Sequence, residues 1–60
     1  MYIVIFNIGS RDVTLMTDHR GFIMEFYNHK IAMEEAETWL DKYRFRKFEV
    51  FELLDPEKKT

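Results

Sequence analysis

Apolar residues in strand-like patterns dominate the first half of the chain and predict three β-strands. Residues 2–8 are almost all β-branched or aromatic, and both faces of this run are apolar. A strand of that kind is normally central in its sheet and covered on both sides. Two shorter alternating runs follow at residues 13–16 and 22–27, after turn-forming segments at 9–12 and 18–21.

The period of the apolar residues becomes helical between residues 31 and 43. One face of the predicted helix is an apolar stripe that consists of Ala32, Ala36, Trp39, Leu40 and Tyr43. Asn28 precedes this segment as the expected N-cap. Since the stripe places Trp39 in the core, Trp39→Ala is predicted to lower the free energy of unfolding by about 3–5 kcal/mol.

The last predicted strand covers residues 48–54 and follows a basic connector at residues 44–47. Pro56 cannot continue a β-ladder. We therefore expect residues 1–55 to form a single α+β domain and residues 56–60 to be a frayed tail.

The predicted order of elements is thus β-β-β-α-β. A strand, a helix and a strand in succession form a right-handed crossover, so the fourth strand is expected to run parallel to the first and third. Placing it beside the first strand makes the doubly apolar run internal. The prediction is a four-stranded, mostly antiparallel sheet of order 3-2-1-4 with one helix packed on one face.

One helix leaves the other face of such a sheet uncovered, and that face is apolar whichever side the helix takes. In one arrangement the helix packs on Val4, Phe6, Val13, Leu15, Phe22, Met24 and Phe26. The predicted self-association or partner face then consists of Ile3, Ile5, Met16, Ile23, Tyr27, Phe51 and Leu53. With the helix on the opposite side, the exposed apolar set is larger.

An uncovered apolar face predicts a homodimer. A 60-residue domain buries a small core, and the absence of cysteine excludes a disulfide as its means of stabilisation. Contiguous apolar patches on small domains usually mark interfaces. Two other arrangements stay open: loops or the tail folded over this face, and another protein bound to it.

The composition narrows the class of protein further. Apolar residues make up 47% of the chain, which is typical of a folded domain, and the net charge of −2 provides no general attraction to nucleic acid. No apolar run approaches the length of a membrane helix, and the first residues lack the basic flank of a signal peptide. We expect a cytoplasmic protein without a membrane partner.

Candidate catalytic and metal-binding residues are few. His19 lies in a turn beside Asp18 and could act as a general base, but a turn next to no apolar wall offers no pocket, so a solvated histidine is favoured. His29 precedes the helix and is interpreted as a capping or packing residue. Ser10 lacks the surrounding pattern of a nucleophile elbow, and the chain has no glycine-rich phosphate loop. We predict no catalytic residue, no metal site and no cofactor.

A basic and aromatic segment at residues 43–48 supports an alternative function. Arg44, Arg46 and Lys47 alternate with aromatic residues, a combination that can contact phosphates and stack on bases. The simpler interpretation is that the aromatic side chains anchor the connector to the core and the cations lie near the helix C-terminus.

The pattern resembles small single-domain proteins encoded by phages. The resemblance rests on residues 2–6, on Leu15-Met16-Thr17-Asp18, on residues 21–26, on Glu34-Glu35-Ala36-Glu37-Thr38-Trp39 and on residues 48–54. It implies no functional residues. It does imply a mode of action, because many such proteins bind and inhibit a host enzyme or a bacterial defence complex, often as dimers.

These observations favour a non-enzymatic protein-interaction module, a homodimeric phage-type inhibitor or modulator of a host or defence protein. The chain is not acidic enough for a nucleic-acid mimic, so steric blocking or sequestration is the expected mechanism. One alternative is a small nucleic-acid-binding module that uses residues 43–48. Another is a protein that sequesters a small ligand in a pocket at the oligomer interface.

Overall fold

A computed structural model describes residues 1–54, and the predicted tail at 56–60 lies outside these described residues. The elements follow in the order β1 (Tyr2–Phe6), β2 (Thr14–Leu15), α1 (His29–Lys42) and β3 (Phe48–Glu52). The strands form one sheet of order β2-β1-β3, in which both neighbours run antiparallel to β1. The predicted α+β class with a single helix and a central first strand is confirmed.

The central strand β1 ends earlier than its apolar run predicts. Asn7 adopts a φ of 57°, a left-handed conformation that an extended strand cannot contain. Asparagine tolerates this region better than most residues, so the strand stops at Phe6 and Ile8 falls in the following turn.

The predicted third strand at residues 22–27 is not present as a strand. The segment makes only two isolated bridges, Thr17 with Ile23 and Tyr2 with Phe26. Phe26 exchanges two backbone hydrogen bonds with Tyr2, of 2.7 and 2.8 Å, at the edge of β1 just beyond the end of β2. The segment therefore leaves β2 after a short hairpin and completes the edge of β1, and the order 3-2-1-4 is not found.

This departure reverses the direction of the last strand. Because Phe26 pairs at the start of β1, α1 begins beside Tyr2, whose ring lies 5.3 Å from that of His29. The helix then runs toward the end of β1, where the rings of Trp39 and Phe6 stack 6.0 Å apart. The chain returns as β3 antiparallel to β1, so the predicted right-handed crossover and parallel fourth strand are wrong.

Asn28 begins α1 as the sequence predicts. Its side-chain oxygen accepts the backbone N–H groups of Lys30 at 2.7 Å and Ile31 at 3.3 Å, which satisfies two of the free donors of the first turn. Ala32 and Ala36 are fully buried against the sheet. Their small side chains let the helix approach the strands closely.

The core lies between α1 and one face of the sheet. Its buried apolar residues are Val4, Phe6, Met16, Phe26, Ala32 and Ala36. The helix thus covers the Val4 and Phe6 face, which the sequence left open between two arrangements.

The pairing register corrects the predicted faces of β2. Leu15 pairs with Ile5, and the Met16 backbone N–H donates to the Val4 carbonyl at 3.0 Å. Since paired residues point to the same side, Met16 enters the core and Leu15 lies on the opposite face. Val13 is 54% exposed and is likewise not part of the core.

Candidate interaction surface

The face of the sheet away from α1 carries a row of apolar side chains, hereafter the open face. Its members are Ile3, Ile5, Leu15, Phe51 and Leu53. The register pairs Ile3 with Phe51 and Ile5 with Leu15, so these side chains are neighbours across the three strands. Phe51 is 39% exposed and Leu53 41% exposed, although both are large apolar residues.

One charge interrupts the open face. Glu49 of β3 pairs with Ile5 of β1 and is exposed. The rest of the row is apolar, and no element among residues 1–54 packs on it, since the helix contacts the other side of the sheet. The open face is therefore suited to contact with another apolar surface.

Four of the seven residues predicted for this face lie on it, namely Ile3, Ile5, Phe51 and Leu53. Ile23 is 49% exposed and bridges Thr17 beside the sheet, and Tyr27 is 85% exposed just before the helix. Met16 was placed there wrongly, because it is fully buried. Leu15 was missed, since no sequence signal relates the alternation of β2 to that of β1 across the turn at residues 8–12.

The basic segment is held in place by Asn7. The Asn7 side-chain oxygen accepts the backbone N–H of Arg46 at 2.9 Å and that of Lys47 at 3.4 Å. The Asn7 backbone N–H also donates to the Lys47 carbonyl at 3.0 Å. This buried amide thus joins the end of β1 to the start of β3, a role that the sequence did not reveal.

The aromatic residues of the basic segment are mostly engaged by the core. Phe45 stacks on Phe6 with ring centres 4.3 Å apart, and Phe48 lies edge-on to the same ring at 6.3 Å. Arg44, Arg46 and Lys47 are exposed, but only Tyr43 beside them, at 49% exposure, offers a ring to solvent. Packing against the core thus explains why most of the aromatic residues are present in this segment. Few rings are left for stacking on bases, which argues against the nucleic-acid-binding alternative.

The predicted hairpin loop at residues 18–21 is organised by Asp18. Its carboxylate accepts the backbone N–H groups of Arg20 at 2.8 Å and Phe22 at 3.0 Å. Gly21 takes the left-handed conformation that the turn requires, with a φ of 89°. One oxygen of the Asp18 carboxylate, Oδ1, therefore accepts two backbone donors, and His19 is exposed in the same loop.

The described part of the chain shows no assembled chemical site. Within residues 1–54, no three His, Cys, Asp or Glu side chains gather into a group that could hold a metal ion. The same residues contain no helix that is long and apolar enough to cross a membrane. His29 packs edge-on against Tyr2, as expected for a packing residue.

No protein-family model matches the chain, and no curated protein or solved structure matches it either. Among the described residues, the open face and the basic segment are two features that bear on function.

Proposed function

We propose that this protein is a non-enzymatic interaction module that self-associates and presents its open face to another protein. The observation that carries the proposal is the row of apolar side chains on the sheet face opposite α1, where Phe51 and Leu53 are exposed and Ile3, Ile5 and Leu15 are half-buried. Exposed apolar surface of this kind is costly in water and is typical of contact sites.

The specific form of this proposal is a phage-type inhibitor that binds a host or defence protein in the bacterial cytoplasm. Such a protein would act by covering a surface of its target, so it needs a rigid apolar patch and no catalytic groups. The open face lies on regular strands backed by the core, which supports a preorganised surface.

Bacterial infection assays can test this form of the proposal. The protein would be expressed in strains that each carry one defence system, and the plating efficiency of a restricted phage would be measured. We expect the wild-type protein to raise plating efficiency in at least one strain. Leu15→Lys, which places a charge on the open face, should abolish the gain.

Thr38→Lys is the matched control, because it adds the same charge to the exposed side of α1. It should behave like the wild-type protein. Unchanged plating in every strain would contradict the inhibitor proposal, and turnover of a substrate by the purified protein would contradict a non-enzymatic role.

A further inference from the structure

Within residues 1–54, the outer edge of β3 carries backbone groups that have no hydrogen-bond partner. The Asn7 N–H donates to the Lys47 carbonyl at 3.0 Å and the Leu53 N–H to the Met1 carbonyl at 2.6 Å, so odd-numbered residues of this segment face β1. Because hydrogen-bonding direction alternates along an antiparallel strand, Phe48, Val50 and Glu52 direct their N–H and C=O groups away from β1. Outside the ladder, these three residues make no backbone hydrogen bond within residues 1–54.

Within Phe48–Glu52, this edge has no lysine, proline or bulge, although two of its five residues are charged. Natural edge strands are commonly protected by lysine, proline or a bulge, or by a covering loop. The strand Phe48–Glu52 has the sequence FEVFE and pairs with β1 without interruption over its whole length. Its only charges are Glu49 and Glu52.

We propose that β3 pairs antiparallel with β3 of a second copy about a two-fold axis at Val50. The two three-stranded sheets would then join into one sheet of six strands. This inference rests on the self-association that the proposed function includes, and it assigns the surface responsible. It leaves the open face free, since edge pairing uses backbone groups in the plane of the sheet.

The charges of β3 are compatible with this register and disfavour two others. With the axis at Val50, Phe48 lies opposite Glu52 of the second copy, and every outward N–H and C=O of the strand has a partner. Glu49 then lies opposite Phe51 of the second copy on the continuous open face. An axis at Glu49 or at Glu52 would instead place two identical carboxylates directly opposite each other, which is destabilising.

The helix provides a second contact in the same arrangement. It packs on both β1 and β3, so its axis lies close to the outer edge of the sheet. The helix α1 is right-handed and runs in the same direction as β1. With Ala32 and Ala36 facing the sheet, Met33 and Leu40 therefore lie on the flank of α1 nearest β3. Both side chains are half-buried and lie seven residues apart on one flank of α1.

Edge pairing would bring these flanks together. Adjacent strands lie roughly 4.8 Å apart. If the axis of α1 lies above the gap between β1 and β3, it would be about 10 Å from the axis of α1 in the second copy. This is a normal distance for packed helices. Met33 would face Leu40 of the second copy across the two-fold axis. This match between the two flanks favours a second copy over an unrelated extended peptide as the occupant of the edge.

Cysteine crosslinking tests the register directly, because the chain contains no cysteine of its own. Glu49 and Phe51 of the second copy would form a non-hydrogen-bonded pair, whose Cα atoms lie about 4.5 Å apart, within the range of a disulfide. The double variant Glu49→Cys/Phe51→Cys should oxidise to a covalent dimer. Either single variant alone should not, since identical positions would be diagonal neighbours about 7–8 Å apart.

A proline variant tests the edge without a crosslink. Glu52→Pro removes an outward N–H and leaves the ladder to β1 intact, whereas Glu52→Ala removes the same carboxylate and keeps the N–H. By light scattering, Glu52→Ala should remain dimeric. Glu52→Pro should raise the dimer dissociation constant at least about tenfold while its circular dichroism spectrum stays unchanged.

The outcomes separate this inference from the proposed function. Crosslinking of the double variant alone supports the Val50 register, and crosslinking of Phe51→Cys by itself overturns it. A dimeric wild-type protein with no crosslink and no effect of Glu52→Pro overturns edge pairing but leaves self-association standing. A monomeric wild-type protein at all concentrations overturns both the dimer and its assigned surface, while the phage assay still tests binding of a target.

Discussion

At the scale of single residues, Asn7 connects two parts of the chain that are distant in sequence. Its left-handed backbone ends β1, and its buried side chain, 6% exposed, accepts the N–H groups of Arg46 and Lys47 at the start of the segment that leads into β3. The hydrogen bonds to Arg46 and Lys47 are partly buried, and a partly buried N–H that loses its partner is left incompletely hydrated. The amide oxygen of Asn7 thus stabilises the return of the chain from α1 to the sheet.

Asn7→Ala is expected to lower the free energy of unfolding by about 1–3 kcal/mol, because it leaves these N–H groups without their acceptor. Urea denaturation measures the effect. Asn7→Asp keeps an oxygen acceptor and the tolerance of positive φ, but it buries a charge and loses the Nδ2 donor to the Asp12 carbonyl, so it should retain only part of the stability. An unchanged free energy of unfolding in Asn7→Ala would show that the side-chain oxygen contributes little.

At the scale of the elements, the alternation of β2 decides which side chains enter the core. Met16 and Leu15 are neighbours of similar size, yet Met16 is fully buried and Leu15 only half-buried on the open face. A shift of one residue in the register would exchange them. The buried position of Met16 follows from its hydrogen bond to Val4, which the local sequence does not specify.

Met16→Ala is therefore expected to cost about 2–5 kcal/mol, as truncations of large core residues do. Leu15→Ala should cost no more than about half as much, because its side chain is already partly in water. Thermal unfolding of the two variants in parallel gives the comparison. A larger loss for Leu15→Ala would contradict the register of β1 and β2.

The helix stripe also makes a prediction at this scale. Trp39 stacks on Phe6 with an angle of 4° between the rings and lies 5.0 Å from Tyr43, but it is half-buried. Trp39→Ala is expected to cost about 3 kcal/mol, the lower end of the range for aromatic truncation in a core. Trp39→Phe preserves the stacked ring and should retain most of the stability. A nearly unchanged Trp39→Ala in urea denaturation would contradict the packing of α1.

At the scale of the whole molecule, the buried core is small. The buried apolar set contains six residues, two of which are alanines. Domains of this size usually require an additional source of stability, and the described residues contain no cysteine to provide a disulfide. Burial of the β3 edge or of the open face would add to this core.

Unfolding of a homodimer depends on protein concentration by mass action. We expect a tenfold increase in concentration to raise the free energy of unfolding by about 1.4 kcal/mol per dimer, with a higher Tm. Glu52→Pro should show a smaller dependence over the same range. A Tm of the wild-type protein that is independent of concentration would indicate a monomer.

The sequence predicted the structural features that depend on residues close to one another along the chain. The apolar run of β1 predicted a central strand, the change of period predicted α1, and Asn28 marked its start. The hairpin loop at Asp18 followed from turn chemistry. Each of these features depends on residues within a few positions of one another, so a single chain carries the necessary information.

Tertiary structure alone decided the remaining features. Residues 22–27 alternate like a strand, yet Phe26 pairs with Tyr2 rather than extending along β2, and this single choice set the direction of α1 and β3. The register that buried Met16 and exposed Leu15 likewise depends on contacts across a turn. Alternation determines that a strand has two faces, but which face is buried depends on the neighbour with which it pairs.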